Sequence, residues 1–164
     1  MRLVMNLRNS TKTLLSLLIT LFALSSLAFS APEETLNQWH QWRGPLSTGV
    51  APRSNPPLHW SETKNIRWKT EIPGKGHSTP AIWGNRVFLT TAIPYGPTQA
   101  PMGHDRHGDH DNFRSIRRQR FQVLAIDRNK GSIVWTKTVA NEQPHEGAHV
   151  TGSWASASPI TDGK

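Results

Sequence analysis

Three stretches of this chain combine residue types that could do chemistry. His145-Glu146-Gly147-Ala148-His149 matches His-Glu-x-x-His, in which two imidazoles hold zinc and the glutamate activates a metal-bound water. That chemistry needs a helix, so that both rings share one face. Pro144 precedes the motif, Gly147 interrupts it and Val150-Thr151-Gly152-Ser153 follows, so the stretch reads as a loop between strands with no metal site. His104-Asp105-Arg106-His107-Gly108-Asp109-His110-Asp111 sets imidazoles beside carboxylates, donors suited to zinc, nickel or copper. Its arginine and glycine content reads instead as a solvated insertion. Gly74-Lys75-Gly76-His77-Ser78 lacks the Gly-Lys-Ser/Thr ending and the helix of a phosphate loop. It is expected to turn the chain into an inner strand and to leave His77 near a ligand-facing channel. Ser78 and Ser156 lack the Gly-x-Ser-x-Gly elbow of a nucleophile. No catalytic residue and no metal ligand is expected. His77, His145, Glu146 and His149 stand as candidates for a ligand-binding face.

These residues must be carried by strands. Ile66-Arg-Trp68-Lys-Thr-Glu-Ile72 alternates with period two and closes at Pro73-Gly74, a turn signal. Ser78 to Trp83 predicts a strand, Gly84-Asn85 a two-residue hairpin turn, and Arg86 to Thr91 the returning strand. Phe121 to Ile126 and Ser132 to Thr138 complete the set, and no window supports an amphipathic helix. Between the last two strands lies Ala125-x-Asp127-x3-Gly131-x3-Trp135. Val123-Leu-Ala-Ile126 suits a strand buried on both faces. Asp127 can hydrogen-bond the backbone of the turn it opens, and Gly131 supplies the positive φ the loop needs.

The N-terminus has Arg2, Arg8 and Lys12, then an apolar run from Leu14 to Phe29, then Ala28-Phe29-Ser30 before Ala31. Those are the three parts of a cleaved secretory signal peptide, residues 1–30. Serines and a threonine break a run already short for a membrane span. The expectation is export to the periplasm or beyond, with membrane contact only through that segment if it stays uncleaved. The chain has no cysteine, which excludes disulfides, thiolate metal sites, a cysteine nucleophile and c-type haem attachment. The formal charge is +8, but 16 basic against 11 acidic residues remain after the leader, a net +5. Arg114, Arg117, Arg118 and Arg120 cluster without interleaved aromatics, so they read as a solvated loop rather than a nucleic-acid site.

Residues 31–63 form an irregular arm rich in Trp, Pro and Gly, and residues 64–164 carry internal repetition. Trp68-Lys-Thr-Glu-Ile72 matches Trp135-Thr-Lys-Thr-Val139, and Ser78-Thr79-Pro80-x3-Gly84 matches Ala157-Ser158-Pro159-x3-Gly163. The unit is longer than the about 40–50 residues of a normal propeller blade, and residues 93–119 account for the excess as an insertion. Taken with the Ala-Asp-Gly-Trp spacing, this repeat resembles the pyrroloquinoline-quinone-like (PQQ-like) β-propeller family. The resemblance covers the chain from Trp39 onward, apart from the insertion.

It implies an all-β fold of four-stranded blades, with one blade and part of a second before Lys164, so that the chain reads as the N-terminal part of a longer protein. It also implies that Trp68, Ala125, Asp127, Gly131 and Trp135 dock blade on blade, Trp68 and Trp135 from equivalent outer strands. The functional expectation is a binding or scaffold module for a protein, glycan or small ligand. The alternative is a quinoprotein oxidoreductase, in which the complete protein would hold PQQ with calcium and this part of it would hold no cofactor.

Overall fold

The computed structural model describes residues 33–102 and 112–164, with backbone alone at 112 and 113. The leader and the His104–Asp111 cluster lie outside these residues. Among the described residues the protein is nearly all β, its one helical element a 3-10 turn at Thr35–Asn37. Strands β1 (Ala81–Trp83), β2 (Arg86–Tyr95), β4 (Arg118–Asp127) and β5 (Ile133–Glu142) form one antiparallel sheet in the order β1-β2-β4-β5. Strands β3 (Asn112–Phe113) and β6 (Ala148–His149) pair separately.

Each hairpin of the main sheet follows from local residue chemistry. Trp83 pairs with Arg86 across the two-residue Gly84-Asn85 turn, as the sequence predicts. At the β4–β5 turn Gly131 adopts φ 73° and its N–H donates to the Asp127 carbonyl at 2.8 Å. Between β2 and β4 the ladder continues past the expected hairpin limits: Ile93, Pro94 and Tyr95 pair with Arg120, Gln119 and Arg118. The excursion between these strands therefore spans 96–117 rather than 93–119.

The core is centred on β4. Leu124, Ala125 and Ile126 are consecutive and all buried, so this strand is covered on both faces. On one face Leu124 and Ile126 stand opposite Leu89 and Val87. On the other, Ala125 is registered against both Phe88 and Trp135, and those two rings meet at a centroid distance of 6.0 Å. A methyl group is what the space between the rings allows, which explains a fully buried alanine at a strand centre. Opposite β4, strand β5 skips Val134 and Val139 in its register, two bulges that leave these valines exposed.

The outer edge of β1 is covered by the arm. Trp39 and Ile82 exchange two backbone hydrogen bonds, 3.0 and 2.7 Å, so the arm adds one bridge to the sheet. The expected strand at 66–72 is not formed. A strand needs a partner edge, and this segment meets the tip of the β4–β5 turn instead, through side chains. Trp68 Nε1–H donates to the Arg128 carbonyl at 2.8 Å and Thr70 Oγ1 to the Gly131 carbonyl at 2.5 Å.

Residues 73–77 form a strap lying flat on β2. Lys75 and Ala92 exchange backbone hydrogen bonds at 3.0 and 2.9 Å, and Thr91 Oγ1 donates to the Pro73 carbonyl at 2.6 Å. Gly76 is required by this approach, because a Cβ there would lie 2.2 Å from the Thr90 carbonyl oxygen. Gly76→Ala should therefore lower stability by about 1–3 kcal/mol, the usual effect of overpacking. The expected reading is a lower denaturant midpoint at unchanged slope; a midpoint equal to that of the parent would mean the strap is not held against β2.

Candidate functional site

Two features of the described residues combine built geometry with functional residue types: a tryptophan junction at the β4–β5 turn and a cleft beside the strap. At the junction the Asp127 carboxylate organises the turn. Its Oδ1 accepts the N–H groups of Asn129 and Lys130, each at 2.9 Å, and Oδ2 accepts Asn85 Nδ2–H at 2.9 Å from the neighbouring hairpin. Arg86 Nη1 stands 3.7 Å away. The Lys130 N–H above all, with Asn129, Asn85 and Arg86 adding to it against partial desolvation, holds the Asp127 carboxyl below its ordinary value of 3.8. This fixed turn presents Gly131 to Trp68, whose indole lies so close that a Cβ on Gly131 would sit 2.6 Å from it. Arg67 Nη1 reaches Asn129 Oδ1 at 3.2 Å beside it. Trp39 and Trp83 pack in the same way on Gly44 and Gly163.

Of the five residues expected from sequence to dock blade on blade, Asp127 and Gly131 lie in this turn, Trp68 rests on Gly131, and Ala125 is buried in β4 between Phe88 and Trp135 in register. The fifth, Trp135, lies on β5 against Phe88 with 43% of its surface exposed, on the side of the sheet whose edge has no partner among the described residues. Trp68 and Trp135 differ in setting. One is in an irregular segment and the other in an edge strand.

The cleft has a volume of about 580 Å³ and is lined by the strap and its continuation (Ile72 and residues 74–78), by Leu89 and Thr90 of β2, and by Val150, Thr151 and Gly152. The sequence-predicted His77 is in it. Ser78 Oγ accepts the Thr90 N–H at 3.0 Å, which leaves its proton without a partner among the described residues. The matched repeats run side by side along this region. The His77 N–H donates to the Ala155 carbonyl at 3.0 Å, the Thr79 N–H to Ser158 Oγ at 2.9 Å, and Thr90 Oγ1 to the Ala157 carbonyl at 3.0 Å.

The His-Glu-x-x-His residues do not form one site. Their segment is a bend followed by β6, where Ala148 and His149 pair with Phe113 and Asn112. His149 Nδ1 accepts the Thr151 N–H at 3.2 Å and lies 2.7 Å from the Thr151 hydroxyl, so this ring is tied into the turn that walls the cleft. The Glu146 carbonyl accepts Trp154 Nε1–H at 2.9 Å. No group of three or more His, Cys, Asp or Glu residues suited to a metal occurs among the described residues. His77 lines the cleft and His149 borders it, while His145 and Glu146 are not in its lining.

The arginine cluster, read from sequence as a solvated loop, is engaged. Arg117 donates twice to the Gly96 carbonyl, Arg118 to Tyr95 Oη and the Asn141 carbonyl, and Arg120 stacks on the Tyr95 ring at 5.2 Å. Gln143 Nε2 ties both limbs of the excursion, reaching the carbonyls of Ala100 and Ser115 at 2.7 Å each. The four arginines are exposed, as the sequence suggests, but Arg118 and Arg120 belong to a strand rather than a loop, and guanidinium groups beside that ladder reach carbonyls and a ring. The cleft walls at 150–152 carried no sequence signal. Their only mark is the turn Val-Thr-Gly-Ser, and contact with the strap spans more than seventy residues of chain.

No family model, curated protein or solved structure matches this chain. No helix among the described residues is long and apolar enough to cross a membrane.

The depressed Asp127 pKa makes the junction acid-sensitive. A carboxylate whose folded pKa lies below its unfolded value of about 3.9 stabilises the fold above that value. The contribution is lost as pH falls through the lower folded pKa. In acid titrations followed by indole fluorescence, Asp127→Asn should be less stable near neutrality and should show a shallower loss of stability below about pH 4. Parallel stability curves for parent and variant would show that this carboxylate is not linked to folding.

Proposed function

We propose that this protein is an exported PQQ-like β-propeller protein, and that it acts as a binding or scaffold module. A signal segment at residues 1–30 and the repeat that resembles that family support export and architecture. The four-stranded antiparallel meander is the form a blade takes. The seating of Trp68 on Gly131 is the contact by which one repeat docks on the hairpin of the next, and Trp135 offers the same ring for a following unit.

The observation that carries the functional part is the cleft. It is built from the strap, from β2 and from the turn after β6, at the place where the matched repeats 77–79 and 155–158 run together. Loops on a rigid sheet are where such folds bind. The occupant is a small ligand or a short projecting group of a protein or glycan. The structure holds apolar walls and hydrogen-bonding groups there.

The test is a thermal-shift screen of the full protein against small organic molecules and oligosaccharides. A ligand that binds the folded state raises the melting temperature by mass action. At least one class should raise it by several degrees, and Val150→Trp, which fills the cleft mouth, should abolish the effect. A response undiminished in Val150→Trp would place binding elsewhere. Stoichiometric uptake of PQQ with calcium would replace this reading by the quinoprotein oxidoreductase.

A further inference from the structure

We infer that the irregular arm and residues 158–162 form a second site, which holds a short neutral oligosaccharide of hexoses with equatorial hydroxyls. Two open pockets meet there at Ile160, which lines both and is itself 72% exposed. One, of about 460 Å³, lies among Gln41, Trp42, Arg43, Ser47 and Ser158. The other, of about 560 Å³, lies among Thr35, His40, Trp83, Thr161 and Asp162. Each falls within the range of small-molecule sites, about 300–1,000 Å³, and neither shares a residue with the strap cleft. Adjoining pockets of similar size suit a ligand made of repeated units.

The hydrogen-bonding groups left over in these walls both donate and accept. Gln41 Nε2–H donates to the Gly44 carbonyl at 3.2 Å and to Ser47 Oγ at 2.9 Å, which leaves Gln41 Oε1 as an acceptor. Ser47 Oγ keeps its own proton to give. So do Ser158 Oγ, which accepts the Thr79 N–H, and Thr161 Oγ1, which accepts the Gly163 N–H at 3.1 Å. Asp162 Oδ1 accepts the Lys164 N–H at 3.1 Å, while Oδ2 and the Trp83 Nε1–H have no partner among the described residues. Arg43 and Asp162 carry opposite formal charges, one in each pocket, so the pair does not favour an ion of either sign. Sugar hydroxyls, which donate and accept in turn, complement such a lining. Trp42 supplies the apolar contact. Its indole is 64% exposed even with the Arg43 guanidinium over the ring at 5.8 Å, and equatorial hydroxyls leave a flat C–H face that packs on an open indole. An extended peptide would instead dock by its backbone on a sheet edge, and the edge of β1 beside these pockets is already bridged by Trp39.

The walls are held by the protein itself. The Thr161 N–H donates to the His40 carbonyl at 3.0 Å, the Gly49 N–H to the Arg43 carbonyl at 2.9 Å, and Arg43 Nη2–H to the Thr48 carbonyl at 3.1 Å. Arg43 and Ser47 have φ of 67° and 56°, in the left-handed region that side chains disfavour. They are two of the three non-glycine residues so placed among the described ones, and both wall the same pocket. Backbone held against its preference gathers at ligand sites. A site fixed in this way requires little ordering when the ligand arrives.

The experiment titrates the full protein with cellotetraose, with glucose and with acetyl-tetraalanine amide. Binding is followed by calorimetry and by NMR of the indole Nε1–H resonances of Trp42 and Trp83. Cellotetraose should shift both resonances and bind at least about tenfold more tightly than glucose, because its linked units engage both pockets. Trp42→Ala and Asp162→Ala change exposed side chains, one in each pocket. Each should weaken cellotetraose binding about tenfold and keep the circular dichroism of the parent. Val150→Trp, in the strap cleft, should leave that affinity unchanged. Cellotetraose binding no tighter than glucose would overturn the paired pockets. Binding that neither pocket variant weakens, or that Val150→Trp abolishes, would place the sugar elsewhere and overturn the site. Failure of cellotetraose to shift either indole, or shifts produced by the peptide alone, would overturn the sugar as ligand.

Discussion

The Asp127 carboxylate is the constraint on which the described architecture turns. Two backbone N–H groups of its own loop and an amide from the neighbouring hairpin converge on it, so one side chain sets both the shape of the β4–β5 turn and its position against the β1–β2 turn. Buried and peripheral consequences follow in order. The turn leaves Gly131 bare, Trp68 lies on it, and the irregular segment before the strap is anchored there. With that segment held, the strap reaches β2 in the register that joins Lys75 to Ala92. A series of directional contacts thus runs from this carboxylate through Trp68 to the strap that walls the cleft.

The second constraint is steric. Ala125 lies between Phe88 and Trp135, and Gly76 lies against the Thr90 carbonyl, so the smallest side chains sit where the backbone or two rings must come close. This economy of volume gives a thin core. The fully buried apolar residues of the sheet are few and small, and a good part of β5 remains exposed through Ile133, Val134, Trp135 and Val139. Among the described residues no strand pairs with the outer edge of β5, and an edge beside apolar side chains is the kind that proteins cover with another element. Trp135 on that strand packs its ring against Phe88 and keeps 43% of its surface exposed.

The chemistry of the cleft arises from where the chain is brought together rather than from a motif. His77 and Ser78 are ordinary residues on a strap. They share a cleft with the 150–152 turn, which stands across from them. That turn is held in place from two sides. The β3–β6 pairing joins it to the excursion, and Gln143 fastens both limbs of the excursion to the end of β5. Arg117, Arg118 and Arg120 add to this fastening from exposed positions, through carbonyls and a tyrosine ring.

The sequence by itself determined what local chemistry decides. Period-two runs and turn residues located the four strands of the main sheet, Gly84-Asn85 and Asp127-x3-Gly131 located its tight turns, and Pro144 with Gly147 denied His145 and His149 the helix that would align them. The tertiary structure decided whatever depends on a partner distant in the chain. Residues 66–72 alternate like a strand, yet no edge among the described residues lies alongside, so they became a side-chain anchor on Gly131. The strands β2 and β4 ran on into the expected insertion, because backbone groups beside an existing ladder pair even where the residues, Pro94 among them, signal its end. For the same reason the cleft was half legible. His77 follows from its place after a Gly-Lys-Gly turn, while Val150, Thr151 and Gly152 join it only through folding, since proximity across such a separation leaves no trace in local pattern.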